Sequence, residues 1–180
     1  MNVSVLIILF FGVYLIAQSK GVDLFKTLGN IISPDGGIVG PVEGNAIYTK
    51  YKFPIDSTSA LRNIPRERIT AIIAVESSGN AHATGAAQER GLMQVTVDAM
   101  IEVNTRYGYS FSFDEMYEAE KNILVGTTYL SWLRDQLFHD LDTGTQAYNV
   151  GLYSVQVNPK LGLGYLHKVQ NYESTLTLST

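Results

Sequence analysis

Apolar residues follow two different patterns along this chain. Residues 3–17 form an uncharged, almost entirely apolar run of fifteen, which as a helix would be about 22 Å long. From about residue 60 onwards, apolar residues recur instead at every third and fourth position, as they do on the buried face of a helix. The first pattern predicts a membrane segment, and the second predicts a mainly α-helical domain.

The N-terminal run is interpreted as a retained membrane anchor, in preference to a removed signal peptide or a buried core helix. A signal peptide normally has a basic residue before its apolar run and small residues at positions −3 and −1 of the cleavage site. No Lys or Arg precedes the run, and Leu15-Ile16-Ala17 lacks the small residue at −3. Apolar residues continue at helical spacing through residues 22–32, so residues 1–32 are predicted to be an anchor extended by an interfacial helix.

Residues 33–57 follow neither pattern. Glycine and proline are concentrated in residues 33–45, which predicts a flexible linker. Residues 46–55 alternate partially between apolar and polar residues, which predicts a short strand or an extended arm on the surface of a domain. The sequence therefore predicts a linker and an arm between the anchor and a domain at residues 58–176.

The domain is predicted to consist of consecutive helices. Pro65 lies in the first turn of one helix, which runs to Ser77 and has Arg66–Arg68 exposed near its start. The elements that follow are a helix from Thr96 to Gly108 with an apolar face of Val97, Met100 and Ile101, a capping box at Ser112 and Glu115, a central helix from Ile123 to Leu137, a short helix from Asp142 to Asn149, a loop from Gly151 to Gly164, and a last helix from Tyr165 to Glu173.

Glu76 occupies an apolar position of the first of these helices. Ile69, Ile72, Ile73 and Glu76 fall at i, i+3, i+4 and i+7, so the acid lies on the stripe that faces the core. Partial burial disfavours the ionised carboxylate and raises its pKa, as a general acid at neutral pH requires. The alternative is a carboxylate at a frayed helix end, turned towards water. Polar residues and glycine follow at 77–80, which favours a position in the last turn, beside a loop.

Short blocks of residues follow Glu76 in a fixed order. They are Glu76-Ser77 with Gly91-Leu92-Met93-Gln94, then Asn122-Ile123 with Gly126 and Tyr129-Leu130, then Ala147-Tyr148-Asn149-Val150-Gly151, and finally Tyr165 with Val169 and Tyr172. In this order and at this spacing the blocks resemble the soluble-type lytic transglycosylases, a family with the goose-type lysozyme fold. The resemblance extends over roughly residues 60–173.

The resemblance implies a lysozyme-like helical fold and an enzyme that acts on peptidoglycan. In that family a single glutamate cleaves the β-1,4 bond between MurNAc and GlcNAc, first as an acid and then as a base, and leaves a 1,6-anhydromuramyl end. Glu76 matches this glutamate. The resemblance further implies substrate-binding roles, without a cofactor, for Ser77, Met93, Gln94, Tyr148, Asn149 and Tyr165.

Some of these residues are expected at particular places in a cleft. Met93 and Gln94 would line its floor, Tyr148 and Asn149 would form the wall opposite the acid, and Tyr165 would donate a hydrogen bond towards the acid or its substrate. Two of them have an ordinary structural alternative. A methionine at an apolar position is commonly a core residue, and a tyrosine can pack while its hydroxyl finds a backbone partner.

Three positions depart from the pattern of that family. Gly85 stands where a serine is usual, Gln88-Glu89 replaces a Gly-Ala pair, and Val97 lies near the place of a missing proline. The contacts between this loop and the catalytic acid therefore stay open. Glu89 is the candidate for a second acid, which would make the protein a lysozyme-type muramidase, a hydrolase. Otherwise Glu89 is a solvated loop charge.

A further alternative is a protein without catalytic activity. The fold would then serve as a glycan-binding structural component held by its N-terminus. Loss of the acid would be the signature of such a protein, and Glu76 is present.

The composition limits the classes of molecule that the chain is expected to bind. The 180 residues carry a formal net charge of −4, so the chain has no basic excess for binding nucleic acid. Cysteine is absent, which excludes disulfides and thiolate metal sites, and the three histidines lack metal-ligand spacing. The expected partners are peptidoglycan strands and a lipid membrane contacted through residues 3–17, with a larger envelope or virion assembly in addition.

The predicted location contains one conflict. Lys20 and Lys26 follow the apolar run, and the positive-inside rule would place that end in the cytoplasm, away from a cell-wall substrate. We expect a membrane-anchored protein whose domain faces the periplasm and cell wall. A virion membrane is the alternative for a phage-encoded chain, because the rule describes ordinary insertion into a cytoplasmic membrane.

Overall fold

The computed structural model describes residues 41–178, with side chains from residue 45 onwards. This part of the chain is helical apart from loops and two isolated bridges. Its elements are α1 (Pro41–Lys50), α2 (Lys52–Arg62), α3 (Arg66–Ser77), α4 (Val97–Tyr107), a 3₁₀ helix (Phe113–Tyr117), α5 (Ala119–Gln136), α6 (Leu141–Val150), α7 (Leu152–Val157) and α8 (Leu163–Thr175).

Helix α5 is the centre of the domain. It packs against α2, α4, α6 and the 3₁₀ helix. Its residues are buried on several sides, and they include the fully buried Ile123, Leu130 and Leu133. A helix that is apolar on more than one face must be covered by several neighbours. This is the central helix that the sequence predicts between Ile123 and Leu137.

Helix α3 is the second buried helix. Pro65 is its N-cap residue, and the left-handed Ser78 ends it. Residues 68–74 are all buried, and α8, α1 and α2 cover them. Both the start and the end agree with the sequence-based prediction, and Glu76 lies in the last turn of this buried helix.

The loop between α3 and α4 is fixed to α5 by one amide side chain. The Asn122 Oδ1 accepts a hydrogen bond from the Met93 N–H at 2.7 Å, and its Nδ2 donates to the carbonyls of Arg90 and Met116, each at 2.8 Å. Gly91 has φ 74°, and a Cβ there would overlap the Met116 carbonyl. Glycine is therefore required where the loop passes against the central helix.

The predicted strand or arm at residues 46–55 is wrong. These residues lie in α1, in α2 and in the turn at Tyr51 between them, and Ile47, Tyr51 and Ile55 are buried. They are spaced four residues apart, which is helical, and their burial against the core decides the structure over the partial alternation. Helix α1 also begins inside the segment predicted to be a linker.

The remaining helices agree with the sequence in position but not always in the buried face. Thr96 caps α4 by accepting from the Ala99 N–H, as predicted, and the capping box of Ser112 and Glu115 begins the 3₁₀ helix. Val97 and Ile101, predicted to be apolar contacts, are 44% and 52% exposed. Met100 is buried as predicted, together with Ala99 and Val103.

The loop predicted from Gly151 to Gly164 contains a helix. Residues Leu152–Val157 form α7, which packs against α6 and buries Val155. Helix α8 begins after Gly162, so the last helix starts two residues earlier than predicted and ends at Thr175. These shifts lengthen the helix that carries Tyr165 without moving that residue out of it.

The N-terminal predictions lie outside the described residues. They concern the anchor at residues 3–17, the interfacial helix up to residue 32, and the linker at residues 33–40. Within residues 41–178, no helix combines the length and the apolar composition that crossing a bilayer requires.

Candidate functional site

Glu76 is a partly buried acid at the C-terminal end of α3. Its pKa is raised from 4.5 to about 7. Burial is the main cause, the negative charge of Glu89 adds a smaller rise, and a hydrogen bond from Tyr165 lowers the pKa. The C-terminal end of a helix also disfavours an anion. The expectation of a desolvated carboxyl group is met, because Glu76 does not extend from a frayed end into water.

Tyr165 of α8 is the hydrogen-bond partner of this acid. Its hydroxyl donates to the Glu76 Oε1 at 2.5 Å. Burial and the nearby Glu76 raise the pKa of Tyr165 well above its ordinary value, so the phenol keeps its proton at neutral pH. A buried phenol that cannot ionise is a fixed donor. It stabilises the charged form of Glu76 more than the neutral form.

Tyr148 of α6 lies on the same side of the domain. Burial and the charge of Glu76 raise the pKa of its phenol well above its ordinary value. Its hydroxyl donates to the Met93 carbonyl at 2.8 Å, and its ring meets the Tyr129 ring edge-on. Tyr148 therefore has the backbone hydrogen-bond partner expected of a packing tyrosine. It is also close enough to Glu76 for the charge of that acid to raise its pKa.

Ser77 connects the end of α3 to the following loop. Its hydroxyl lies 2.8 Å from the Leu92 carbonyl and 3.2 Å from the Ile73 carbonyl, and it donates to them. The serine after Glu76 thus holds the last helical turn against the Gly91-Leu92-Met93-Gln94 block. Its hydrogen is committed to the backbone, so the contact visible here is one that positions the acid.

Met93 differs from its predicted role, and the substrate contact predicted for Gln94 stays a prediction. Met93 is completely buried, so the prediction that its side chain lines the floor of a cleft is wrong, and the core alternative is correct. An apolar side chain in a closed core gains more from burial than from a partly wet surface. Gln94 has φ 46°, and its amide donates to the Gly91 carbonyl at 2.8 Å. This hydrogen bond holds Gln94 against the Gly91 turn of the loop.

Asn149 is exposed on α6, one residue beyond Tyr148. Its predicted contact with a sugar stays a prediction. Within the described residues, no group of three or more His, Asp or Glu side chains is arranged to hold a metal ion.

Arg68 is a structural residue of the site that the sequence analysis placed wrongly. It was predicted to be exposed, but its side chain is only 7% exposed. Its guanidinium donates to Glu173 at 2.9 Å, to Asp142 at 2.8 Å and to Thr145 at 2.8 Å. These three acceptors lie on α6 and α8, and they provide hydrogen bonds for a positive charge that α3 places in the core. The only signal in the sequence was its place directly before Ile69, at the edge of the apolar stripe.

This network connects the three helices that carry the polar residues of the site. Glu76 is on α3, Tyr148 on α6 and Tyr165 on α8. The structure thus brings together Glu76, Tyr148 and Tyr165. Ser77 at the end of α3 bonds to the following loop, Gln94 bonds within that loop, and Met93 lies in the core.

Comparisons with curated proteins find relatives of partial length. The chain is 34% identical over 119 residues to the membrane-bound lytic murein transglycosylase E of Buchnera aphidicola subsp. Baizongia pistaciae, covering 64% of this chain and 54% of that protein. It is 38% identical over 101 residues to the endo-type membrane-bound lytic murein transglycosylase A of Cronobacter sakazakii, covering 54% and 48%. The chain therefore spans about half the length of these relatives.

Solved structures agree with the helical fold. The 70 kDa soluble lytic transglycosylase of Escherichia coli superimposes with a TM-score of 0.64 at 21% identity, over 69% of this chain and 24% of that one. The lytic transglycosylase Slt of Pseudomonas aeruginosa, solved as an inactive glutamate-to-glutamine mutant, gives 0.63 at 20% identity, over 68% and 23%. The mainly helical, lysozyme-like fold predicted from the sequence is confirmed.

The comparison with protein families identifies the domain. The model of the transglycosylase SLT domain matches residues 53–169, which run from the start of α2 into α8 and include Glu76, Tyr148 and Tyr165. The resemblance on which the sequence analysis relied is thereby confirmed, and the chain belongs to the transglycosylase SLT domain family.

Proposed function

We propose that this chain is a peptidoglycan lytic transglycosylase. It cleaves the β-1,4 bond between MurNAc and GlcNAc and leaves 1,6-anhydromuramyl ends, with Glu76 as acid and then base. The observation that carries the proposal is the partly buried Glu76, with a pKa of about 7 and a hydrogen bond from Tyr165. A carboxyl group poised at neutral pH is suited to both directions of proton transfer. The names of the relatives, lytic murein transglycosylases, support the same activity.

In the first step Glu76 is neutral. It gives its proton to the glycosidic oxygen, the bond between that oxygen and C1 of the MurNAc residue breaks, and the GlcNAc side leaves as an alcohol. The carboxylate that remains keeps the hydrogen bond from Tyr165, which compensates for the charge just formed. The oxocarbenium-like centre at C1 is stabilised by the N-acetyl group of the substrate, as in substrate-assisted glycosidases.

In the second step Glu76 is the base. Its carboxylate takes the proton from the C6 hydroxyl of the same MurNAc residue while the C6 oxygen bonds to C1, which closes the anhydro ring and restores the neutral acid. One group therefore serves both transfers, and no water is consumed. The low exposure around Glu76 supports this route because it disfavours entry of a competing water.

The finer features of the proposal concern binding and location. Tyr148 and Asn149 flank the sugar chain, Gln94 and Ser77 hold the loop and helix end beside it, and residues 3–17 anchor the protein in a membrane. The domain then faces the cell wall, for local opening by a phage or an envelope-spanning machine. The words "membrane-bound" in the names of both relatives support anchoring.

A lysozyme-type hydrolase is the second candidate, and one observation favours it. Glu89 is a second carboxylate whose charge acts on Glu76. In that mechanism it would activate a water molecule, and the products would carry reducing ends.

Product analysis separates these candidates. Full-length protein in detergent is incubated with purified peptidoglycan sacculi, and the released muropeptides are analysed by mass spectrometry. We expect muropeptides that are lighter by one water than the reducing-end forms. Reducing ends alone would identify a hydrolase, and no release with intact binding to sacculi would identify a glycan-binding component.

Replacing Tyr165 with phenylalanine is expected to raise the pKa of Glu76. The lost hydrogen bond stabilised the charged form, so the acid keeps its proton to higher pH, by roughly one pH unit. The pH–rate profile measures this as a shift of the alkaline limb to higher pH. Tyr153, which is 77% exposed, gives the matched control Tyr153→Phe. An unmoved limb in Tyr165→Phe would mean that this hydrogen bond does not tune the acid.

A further inference from the structure

Both polar groups of the Met93 backbone are bonded to helices. Its N–H donates to the Asn122 Oδ1 of α5 at 2.7 Å, and its carbonyl accepts from the Tyr148 hydroxyl of α6 at 2.8 Å. The Thr127 hydroxyl of α5 donates to the Met93 sulfur at 3.6 Å. Met93, Asn122 and Thr127 are fully buried, so water does not compete for the two bonds with α5. Met93 is therefore a fixed point of the loop between α5 and α6.

The same stretch of the loop is tied to the helix of the acid. Ser77 follows Glu76 in the last turn of α3 and donates to the Leu92 carbonyl at 2.8 Å. The Leu92 carbonyl and the Met93 N–H belong to one planar peptide group, so bonds to both of them fix its orientation. The end of α3 that carries Glu76 is thus joined to Asn122 of α5 through one peptide group.

Gly126 of α5 provides the room for this arrangement. A Cβ at this position would lie 2.8 Å from the Met93 Cβ and Sδ and 3.0 Å from the Tyr148 hydroxyl oxygen. The contacts with Met93 are overlaps, so a side chain at 126 would displace Met93 and crowd the hydroxyl. Gly126 lies inside a helix without a positive φ, where glycine is less favourable than alanine. The close approach of Met93 and Tyr148 is the structural reason for glycine there.

The hydroxyl of Tyr148 takes its position from this contact. A phenol has one hydrogen to donate, and Tyr148 gives it to the Met93 carbonyl. The bond fixes where the hydroxyl end of the half-buried ring lies. Because the Met93 backbone is itself joined to the end of α3, the bond also fixes Tyr148 relative to Glu76.

We propose that Gly126 is a positioning residue of the site: its missing side chain lets Met93 and the Tyr148 hydroxyl meet against α5, which sets the distance between Tyr148 and Glu76. This rests on the proposed function, in which Tyr148 flanks the sugar chain that Glu76 cleaves. Gly126 does not touch the substrate and acts through its two neighbours. Misplacement of a binding group by about 1 Å costs about a hundredfold in rate, so a small displacement at Gly126 is enough to slow cleavage.

Gly126→Ala in the full chain tests this arrangement. Alanine favours the helix, but its methyl group displaces Met93 and the Tyr148 hydroxyl, so the maximal rate of muropeptide release from sacculi should fall about tenfold to a hundredfold. Gly144→Ala is the matched control. It crowds the same two helices one turn before Tyr148, where a Cβ would lie 3.0 Å from the Arg134 backbone, and it should keep the wild-type rate. Equal losses in the two variants would overturn the proposal.

Combining Gly126→Ala with Tyr148→Phe identifies the bond through which Gly126 acts. Tyr148→Phe removes the hydrogen bond to Met93 directly and should also slow release. Because both substitutions break one bond, the double variant should lose less than the product of the two separate factors. A loss equal to that product would mean that Gly126 acts elsewhere, which contradicts the proposal.

Hydrogen exchange of the Met93 amide, followed by NMR, is a readout that needs no activity on peptidoglycan. Asn122 is unchanged in Gly126→Ala and Tyr148→Phe, yet the amide should exchange about tenfold faster in both, because the carbonyl side of Met93 is released. Gly144→Ala reports any increase that comes from lower global stability alone. Exchange in Gly126→Ala no faster than in this control overturns the proposal, as does faster exchange with a wild-type rate of release. No release by the wild type, with this exchange pattern, would end the proposed transglycosylase function alone.

Discussion

Replacing Glu76 with glutamine is expected to lower the rate of glycan cleavage about a thousandfold or more. The amide can neither give a proton to the glycosidic oxygen nor take one from the C6 hydroxyl, and each transfer by a positioned group is worth about a hundredfold to ten-thousandfold. The Gln Oε1 can still accept the hydrogen bond from Tyr165, so the fold around it is preserved. Release of anhydromuropeptides from sacculi measures the loss.

The same substitution is expected to stabilise the protein at alkaline pH. Glu76 has a folded-state pKa of about 7 against an ordinary 4.5, so the folded chain binds more protons than the unfolded chain between these values. Its free energy of unfolding therefore falls as the pH rises through this window, by up to about 3 kcal/mol. The neutral amide has no such penalty. Denaturation of Glu76→Gln and the wild type should agree near pH 4.5 and diverge up to pH 8.

Glu67 supplies a matched control for both effects. It lies in the first turn of α3, on the same helix, and Glu67→Gln is expected to retain activity and the pH dependence of stability. Near wild-type cleavage by Glu76→Gln would end the enzymatic proposal as stated. Equal stability of Glu76→Gln and wild type at pH 8 would show that the acid ionises without a penalty from burial.

The position of the acid was predictable because it depends on local periodicity. Ile69, Ile72 and Ile73 define the buried stripe of α3, and a residue seven positions after the first falls on it whatever the rest of the fold does. Ser78 and Gly79, both in the left-handed region, then end the helix, and the glycine adopts that conformation without steric cost. This pattern lies within one segment of the chain, so packing by other segments does not change the prediction.

Other features depend on what packs against a segment. The partial alternation at residues 46–55 predicts a strand, yet the chain forms α1 and α2 there. Ile47, Tyr51 and Ile55 are buried in the core to which α3 contributes, and this burial decides the structure. Arg68 was predicted to be exposed because its three ligands come from α6 and α8, 74 to 105 residues away in sequence. No pattern within α3 contains that information.

The site itself was predicted in part. The family resemblance predicted that Tyr148 and Tyr165 lie near Glu76. It also predicted a hydrogen bond from Tyr165 towards the acid or its substrate, and the structure has this bond to Glu76. The sequence also identified Gly85 and Glu89 as departures, but it could not show that a Cβ at Gly85 would overlap the Glu89 carboxylate. Steric exchange between two loop residues becomes visible only when the backbone of the turn is known.

Apart from Glu76, Arg68 is the residue whose replacement should change the protein most, through its free energy of unfolding. Its guanidinium is 7% exposed and neutralises Glu173, whose side chain is 23% exposed, and Asp142, which is 46% exposed. Arg68→Met leaves these carboxylates without their cation. Breaking a fully buried pair typically costs about 3 kcal/mol or more, and because both carboxylates keep contact with water the cost here is about 2 kcal/mol. We expect a loss of this size in the free energy of unfolding, measured by chemical denaturation at pH 7.

The network also bears on activity, since Arg68 joins the helices of Glu76, Tyr148 and Tyr165. A folded sample of Arg68→Met at low temperature should cleave more slowly than wild type, and Arg68→Lys should fall between them because lysine keeps the charge but not the planar fork. Arg68→Met combined with Asp142→Asn and Glu173→Gln should regain most of the lost stability, since no charge is then left unpaired. Lys52→Met, which breaks an exposed pair, should change little. If Arg68→Met is as stable as Lys52→Met, the three helices hold Glu76 and Tyr165 together by apolar packing alone.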